Sequence, residues 1–391
     1  MRSMSQFRCS RSRIWMDDNM SDVQFFEGVE KLLEIWFSTN DNNSKHADLR
    51  KIPRSRLESL LKIVRCEIIS FCSNDQIDAY VLSLSYFDCC YCLVLLQLMF
   101  KSKCSIVDFN WCKCTESSMF ISKRRFILKT CGTTTPLLCL QPLLLLVEQY
   151  AGFTDVEDVF YSRKNYKRPD LQAAPHRDFY QEVTLLDAIF PHGSAYCLGS
   201  MNRDCWYLYT LNPPRTNALS SETEPDPDQT LEILMTDLDP DVMSIFTREE
   251  CLNAAEATKK SGIDKIVPNM VIDDYLFEPC GYSMNGVTKS NQPDGCYMTI
   301  HITPEPEFSY VSFETNITAT SYREIVNKVI ETFQPGKFMV TVFTNKTSAA
   351  VGAPKEIQNL TEIGSWTRRD MQHICFKNYD LTYAFYSKFP S

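Results

Sequence analysis

Glu116-Ser117-Ser118-Met119-Phe120-Ile121-Ser122-Lys123-Arg124-Arg125-Phe126-Ile127-Leu128-Lys129-Thr130-Cys131-Gly132-Thr133-Thr134 is the stretch around which the chain is organised. A Glu-Ser-Ser triplet alone carries little information. Here it runs into a basic cluster at Lys123–Arg125, an apolar strand at Phe126–Leu128 and a Lys-Thr-Cys-Gly-Thr-Thr turn. The remainder of the sequence is read by whether it can serve the Glu116–Ser117 bond.

The chain has 391 residues, 44% of them hydrophobic, enough to bury a large core. Forty basic against 49 acidic residues leave a net charge of −9, which argues against a nucleic-acid surface. No apolar run reaches the roughly 18 residues of a membrane span. Leu93–Phe100 and Leu137–Val147 come closest, and both read as buried elements. Seventeen cysteines in so large a chain, with no two CxxC pairs at zinc-finger spacing, read as reduced thiols of a cytoplasmic protein without a metal. Residues 1–20, with Arg2, Arg8, Arg11 and Arg13 among serines, read as a disordered extension, with a transit peptide as the other reading.

In Phe25–Phe37 the acids Glu27, Glu30 and Glu34 recur at i, i+3 and i+7, so a helix would place them on one face. Residues 54–83 predict a helix and then a strand. A helical region follows Thr134. Ala195–Gly199 and Asp204–Thr210 predict a hairpin around Ser200–Arg203. The Pro-, Ser- and acid-rich stretch Asn212–Asp228 reads as a surface loop joining two similar halves. Tyr322–Phe333 is an amphipathic helix and Phe338–Phe343 a strand. In Tyr297–Thr303, alternation puts Tyr297, Thr299, His301 and Thr303 on one face and Met298, Ile300 and Ile302 on the other. On that polar face, His301 is expected to look into a cleft or solvent rather than a sealed interior. Strands and helices do not alternate strictly, so an α+β fold is expected, with antiparallel sheets and helices on their outer faces.

These motifs together resemble the eukaryotic, pyruvoyl-dependent S-adenosylmethionine decarboxylase family over roughly residues 21–83 and 116–385. The resemblance implies a four-layer αββα sandwich of two similar halves in one domain, 21–391. It implies self-cleavage at Glu116-Ser117 into chains 1–116 and 117–391, with Ser117 becoming a pyruvoyl group that forms a Schiff base with substrate. Neither pyridoxal phosphate nor metal is then needed. By the same resemblance Cys131 donates a proton, Ser283 and His301 serve processing, and Glu27 and Glu30 serve the active site. Phe26 and Phe277 sandwich adenine, Glu305 takes the ribose hydroxyls, and Leu82 and Glu116 complete the substrate site. The chemistry is coherent. A serine hydroxyl needs help to attack a carbonyl, histidine suits proton removal near neutrality, and a thiol is a tunable acid.

A second set of acids, Glu34, Asp228, Glu232 and Glu314, with Thr230 beside them, needs a cation if grouped. In animal relatives such a site binds putrescine. Phe160, Phe343 and Tyr379 match its aromatic wall, and Lys129 and Arg163 match the link to the active centre. The resemblance also implies a homodimer of two-chain protomers and a product used for spermidine and spermine synthesis. One departure stands out. Residues 84–115, rich in cysteine and lacking Gly and Pro, form an atypical insertion immediately before the scissile bond. It leaves open the alternative of an uncleaved, inactive relative acting as a regulatory binding partner.

Overall fold

The computed structural model describes residues 26–39, 46–84, 116–215, 226–289 and 295–388. The N-terminal extension and, apart from Leu84, the 84–115 insertion lie outside the described residues.

The first half supplies β1 (Lys31–Ser38), β2 (Cys66–Ser73), β3 (Ile77–Leu84), β4 (Ser117–Ser122), β5 (Arg125–Thr130), β6 (Asp155–Lys164), β7 (Ser194–Gly199) and β8 (Cys205–Thr210). They pair antiparallel in the order β2-β3-β4-β5-β1-β6-β8-β7. The second half supplies β9 (Gln229–Thr236), β10 (Met270–Leu276), β11 (Tyr282–Thr288), β12 (Tyr297–Thr303), β13 (Tyr310–Thr315), β14 (Lys337–Asn345), β15 (Glu362–Ile363), β16 (Trp366–Cys375) and β17 (Tyr379–Lys388). Their order is β10-β11-β12-β13-β9-β14-β17-β16-β15. In each sheet the half's first strand is central, the next four step inward to it from one edge, and the rest follow on the other side. The two halves therefore share one topology, with β15 as an addition.

Helices α1 (Arg54–Val64), α2 (Leu140–Leu146) and α3 (Phe179–Ile189) belong to the first half. The second half has α4 (Pro240–Met243), α5 (Ala254–Ser261), α6 (Arg323–Phe333) and α7 (Ala353–Asn359). On α1, Leu57, Leu60, Leu61 and Val64 form one stripe and join Leu33, Ile35, Met119, Ile121 and Leu128 in an outer core. On α6, Val326, Val329, Ile330 and Phe333 do the same against Met298, Ile300 and Ile302. Each such side chain contributes about 1.5–3 kcal/mol on burial. The opposite sheet faces meet each other through Leu198, Trp206, Leu234 and Met339 at one end and Phe120, Ile127 and Tyr297 at the other. The result is an α+β sandwich of four layers, αββα. Among the described residues no helix is long and apolar enough to cross a membrane.

Two local expectations are overturned. Residues 31–38 form a strand, not a helix carrying three acids on one face. β1 is the central strand, hydrogen-bonded to β5 and β6, and those pairings override the helical spacing of the acids. Leu33, Ile35 and Phe37 face the outer core, while Leu32 and Trp36 pack between the sheets, a period of two. Residues 54–83 likewise hold α1 and a β2–β3 hairpin rather than one helix and one strand.

Candidate active site

The Glu116–Ser117 bond enters the first sheet at the start of β4. Ser117 pairs with Leu82 on β3 and with Thr130 on β5, and all three are fully buried. The carbonyl oxygen of Glu116 accepts a hydrogen bond from the Cys131 thiol at 2.9 Å. Burial, with the Glu116 and Glu30 carboxyls nearby, holds that thiol well above the usual cysteine range, against the pull of Lys31. Cys131 is thus a protonated donor. Ser117 Oγ is buried without a hydrogen-bonding partner, and the Cys66 thiol is its neighbour.

The Glu116 side chain is itself sealed. Its Oε2 accepts from Thr303 Oγ1 at 2.9 Å, and burial, then the neighbouring Glu305 carboxyl, raises its pKa well above the ordinary value. Gly281 makes room for it. That residue has φ of +104°, and a Cβ there would stand 2.5 Å from Glu116 Oε1. The Glu305 carboxyl is likewise raised by burial.

His301 is not poised toward solvent as its strand face suggested; it is 1% exposed. The polar face of β12 is covered by the other sheet, so the interior between the sheets is where these polar side chains lie. His301 Nδ1 is hydrogen-bonded to Glu30. Its Nε2 meets Ser118 Oγ at 2.8 Å, and that hydroxyl also bonds Asn285 Oδ1 at 2.8 Å. Ser283 sits directly across from His301 in the β11–β12 register, its Oγ buried without a hydrogen-bonding partner. The structure thus gathers Ser118, Ser283, His301 and Glu30 between the sheets, with the Cys131 thiol and the Glu116 carboxyl near Glu30, whereas the Ser117 side chain, one residue along β4, lies beside Cys66 on the opposite face. Burial alone would raise the Glu30 carboxyl, but Lys129 and His301 outweigh it and hold it low.

Glu27 accepts from the backbone N–H groups of Lys167 and Arg168 at 2.9 and 3.1 Å. Phe26 is half-buried, whereas Phe277 is 2% exposed and packs edge-on against Tyr275.

The second acidic set also converges, on a narrow slot lined by Glu34, Asp228, Thr230, Glu232, Glu314 and the rings of Phe160, Phe343 and Tyr379. Two cations already reach into it. Arg125 bonds Glu34 at 2.8 Å and approaches Asp228 at 3.6 Å. Lys129 bonds Glu314 at 3.0 Å and Glu232 at 3.1 Å, with Glu30 at 3.5 Å. Five carboxylates thus share two cations. Burial, opposed by Lys129, pushes the Glu232 carboxyl up to about 7. Lys129 joins this slot to Glu30 and so to His301. Arg163 does not enter it; its guanidinium bonds Glu182 at 2.8 Å and stacks on Tyr166.

Sequence reasoning missed Ser118, Asn285, Arg125 and Lys31. Lys31 is fully buried, donates to Gly132 O at 2.7 Å and to Gln172 Oε1 at 3.2 Å, and is lowered to about 8 by burial. A lysine inside an apolar run was the available signal. The others become visible only through pairings between distant strands.

A family model described as adenosylmethionine decarboxylase matches residues 23–89 and 97–387. The S-adenosylmethionine decarboxylase proenzyme of Drosophila melanogaster is 52% identical over 370 residues, covering 93% of this chain and 95% of that protein. The proenzyme of the same name from Xenopus laevis is 45% identical over 368 residues, covering 94% and 97%. Among solved structures, the Trypanosoma brucei AdoMetDC-delta26 monomer is similar at a TM-score of 0.51 and 27% identity, over 69% of this chain and 98% of that one. Matched over most of its length by sequence and by the sandwich itself, the chain belongs to the adenosylmethionine decarboxylase family of enzymes.

Proposed function

We propose that this chain cleaves itself at Glu116-Ser117 and then decarboxylates S-adenosyl-L-methionine, yielding the aminopropyl donor of spermidine and spermine synthesis. The observation that carries this reading is the buried Glu116 carbonyl, with the Cys131 thiol on its oxygen and the unpartnered Ser117 hydroxyl next to it in the chain.

The steps follow from these groups. Ser117 Oγ attacks the Glu116 carbonyl carbon, and charge building on its oxygen is met by the Cys131 S–H. The C–N bond breaks and the amide becomes an ester. A base then removes the Ser117 α-proton; His301, oriented by Glu30, has the chemistry for it. Elimination breaks the Cβ–Oγ bond, releasing residues 1–116 with a Glu116 carboxylate. The dehydroalanine left at 117 takes up water and loses ammonia, leaving a pyruvoyl group at the head of 117–391.

The surroundings of Ser117 suit such a group, being buried and free of a bonding partner for its oxygen. A pyruvoyl carbonyl supplies an electron sink for amino-acid decarboxylation. Cys131, kept protonated, is the acid positioned to return a proton at the reacting carbon. Phe26 and Phe277 are assigned to adenine, Glu305 to the ribose hydroxyls, Leu82 to the substrate pocket wall, and Glu27 to backbone placement around it. The acidic slot is assigned to putrescine as activator, its two ammonium groups answering the excess of carboxylates, with Lys129 as the link to the active centre. Arg163, outside the slot, would act through Lys31 and Glu182. We also assign the working form to a cytoplasmic homodimer of two-chain protomers. The proenzyme relatives favour this over an uncleaved regulatory relative.

Release of carbon dioxide from carboxyl-labelled S-adenosyl-L-methionine tests the activity. Wild type should release it and Ser117→Ala should not; no release from either would refute the assignment.

A further inference from the structure

At the tip of the β16–β17 hairpin, next in sequence to Tyr379 of the acidic slot, three side chains of different chemistry share one face. His373 and Cys375 are two apart on β16, and Asp380 is the direct cross-strand partner of Cys375 on β17. One ligand-capable atom from each lies within 4.8 Å of the others. The intervening Ile374 packs toward the core between the sheets, so the three point the opposite way, outward.

We propose that His373, Cys375 and Asp380 form a binding site for a borderline divalent metal, zinc(II) being the natural occupant. Cys375 Sγ and His373 Nε2 stand 3.4 Å apart. Zinc at about 2.3 Å from sulfur and about 2.0–2.1 Å from nitrogen, at a tetrahedral angle, needs those atoms about 3.5 Å apart. The two donors are therefore already spaced for one ion. The ring is also held for the task. Its Nδ1 is hydrogen-bonded to Thr382 Oγ1 at 2.9 Å, which leaves Nε2 facing the thiol, as the outer partner of a metal-bound histidine does. Thr382 sits opposite His373 in the register and is fully buried, so this support is rigid.

Asp380 supplies the third ligand and the charge. Arg215 takes its Oδ1 at 2.7 Å, but a carboxylate has about four lone-pair positions, and rotation of this half-exposed side chain brings a free one to the metal. Without metal, burial and the Asp380 carboxylate push the Cys375 thiol above its ordinary value. A cation reverses that relation and binds the thiolate as the proton leaves. One thiolate, one imidazole and one carboxylate, with water in the fourth position, is a donor set for zinc or cobalt(II) rather than for magnesium or calcium.

The test uses the full chain, reduced and stripped with chelator, titrated with cobalt(II) and then zinc(II). Wild type should develop a thiolate-to-cobalt charge-transfer band that zinc(II) abolishes. Cys375→Ser and His373→Ala, both at exposed positions, should lose one equivalent of metal and that band. Thr382→Val should keep the stoichiometry and weaken binding about 10- to 100-fold. Identical cobalt titrations of wild type and Cys375→Ser, or no charge-transfer band in wild type, would overturn the site.

Discussion

The Cys131 thiol donates to the carbonyl oxygen of Glu116 across 2.9 Å, although fifteen residues separate them in the chain. The donor therefore lies on the oxygen that would gain negative charge in the proposed attack by Ser117. Removing one such donor costs about 10²–10³ in rate. Cys131→Ala should lengthen the half-time of self-cleavage by that order, followed by gel electrophoresis. The cleaved fraction should also fail to decarboxylate. Cleavage at the wild-type rate would remove Cys131 from processing.

His301 should act after ester formation, because the attack needs Ser117 and an oxyanion donor whereas the elimination needs a base. His301→Ala is expected to stall as the ester, a full-length chain that hydroxylamine splits at 116/117. Glu30, bonded to Nδ1, orients the ring, so Glu30→Gln should slow the same step less severely. A His301→Ala chain resistant to hydroxylamine would place the histidine earlier.

On the proposed assignment of the acidic slot to putrescine, Glu232 should make binding depend on pH. Its carboxyl is raised from an ordinary 4.5 to about 7, so in the fold it is largely neutral at mildly acidic pH. The fold holds a proton that the unfolded chain releases between those values, so this group's contribution to stability falls as pH rises through that window. A diamine dication prefers the ionised carboxylate. Putrescine should therefore bind more tightly from about pH 6 to about pH 8, with release of up to one proton per diamine. Calorimetry in buffers of different ionisation enthalpy measures that release. Equal affinity and no proton release across the range would contradict it.

Lys129 is the cation that Glu30, Glu232 and Glu314 share, fully buried. Burial alone would lower its pKa, but the three carboxylates hold it above the ordinary lysine value. Lys129→Ala leaves buried acids uncompensated and should cost about 3–5 kcal/mol in denaturant unfolding. A loss below about 1 kcal/mol would mean that water or protonation replaces the ammonium with ease.

Much of this architecture is legible in the sequence, and the exceptions have physical causes. The stripe on α6 and the alternation of β12 report period alone, and period survives folding intact. What covers a face is not written in its period. His301 was assigned to the correct face of β12, yet the other sheet seals it. β1 misled for a related reason: Glu30 and Glu34 suit a helix by spacing, while pairing with β5 and β6 decides the strand. Ser118, Asn285 and Arg125 matter through partners more than ninety residues away, as the Ser118–Asn285 and Arg125–Glu34 bonds show. The His373, Cys375 and Asp380 cluster needs the β16–β17 register, which no spacing of cysteines reveals.

Intact-mass spectrometry of the purified 391-residue chain tests the central claim most directly. The expected result is two species, residues 1–116 ending in a free Glu116 carboxylate and residues 117–391 carrying a pyruvoyl group that resists amino-terminal sequencing. A single uncut chain, with Ser117 unchanged after prolonged incubation at neutral pH with putrescine, would contradict it.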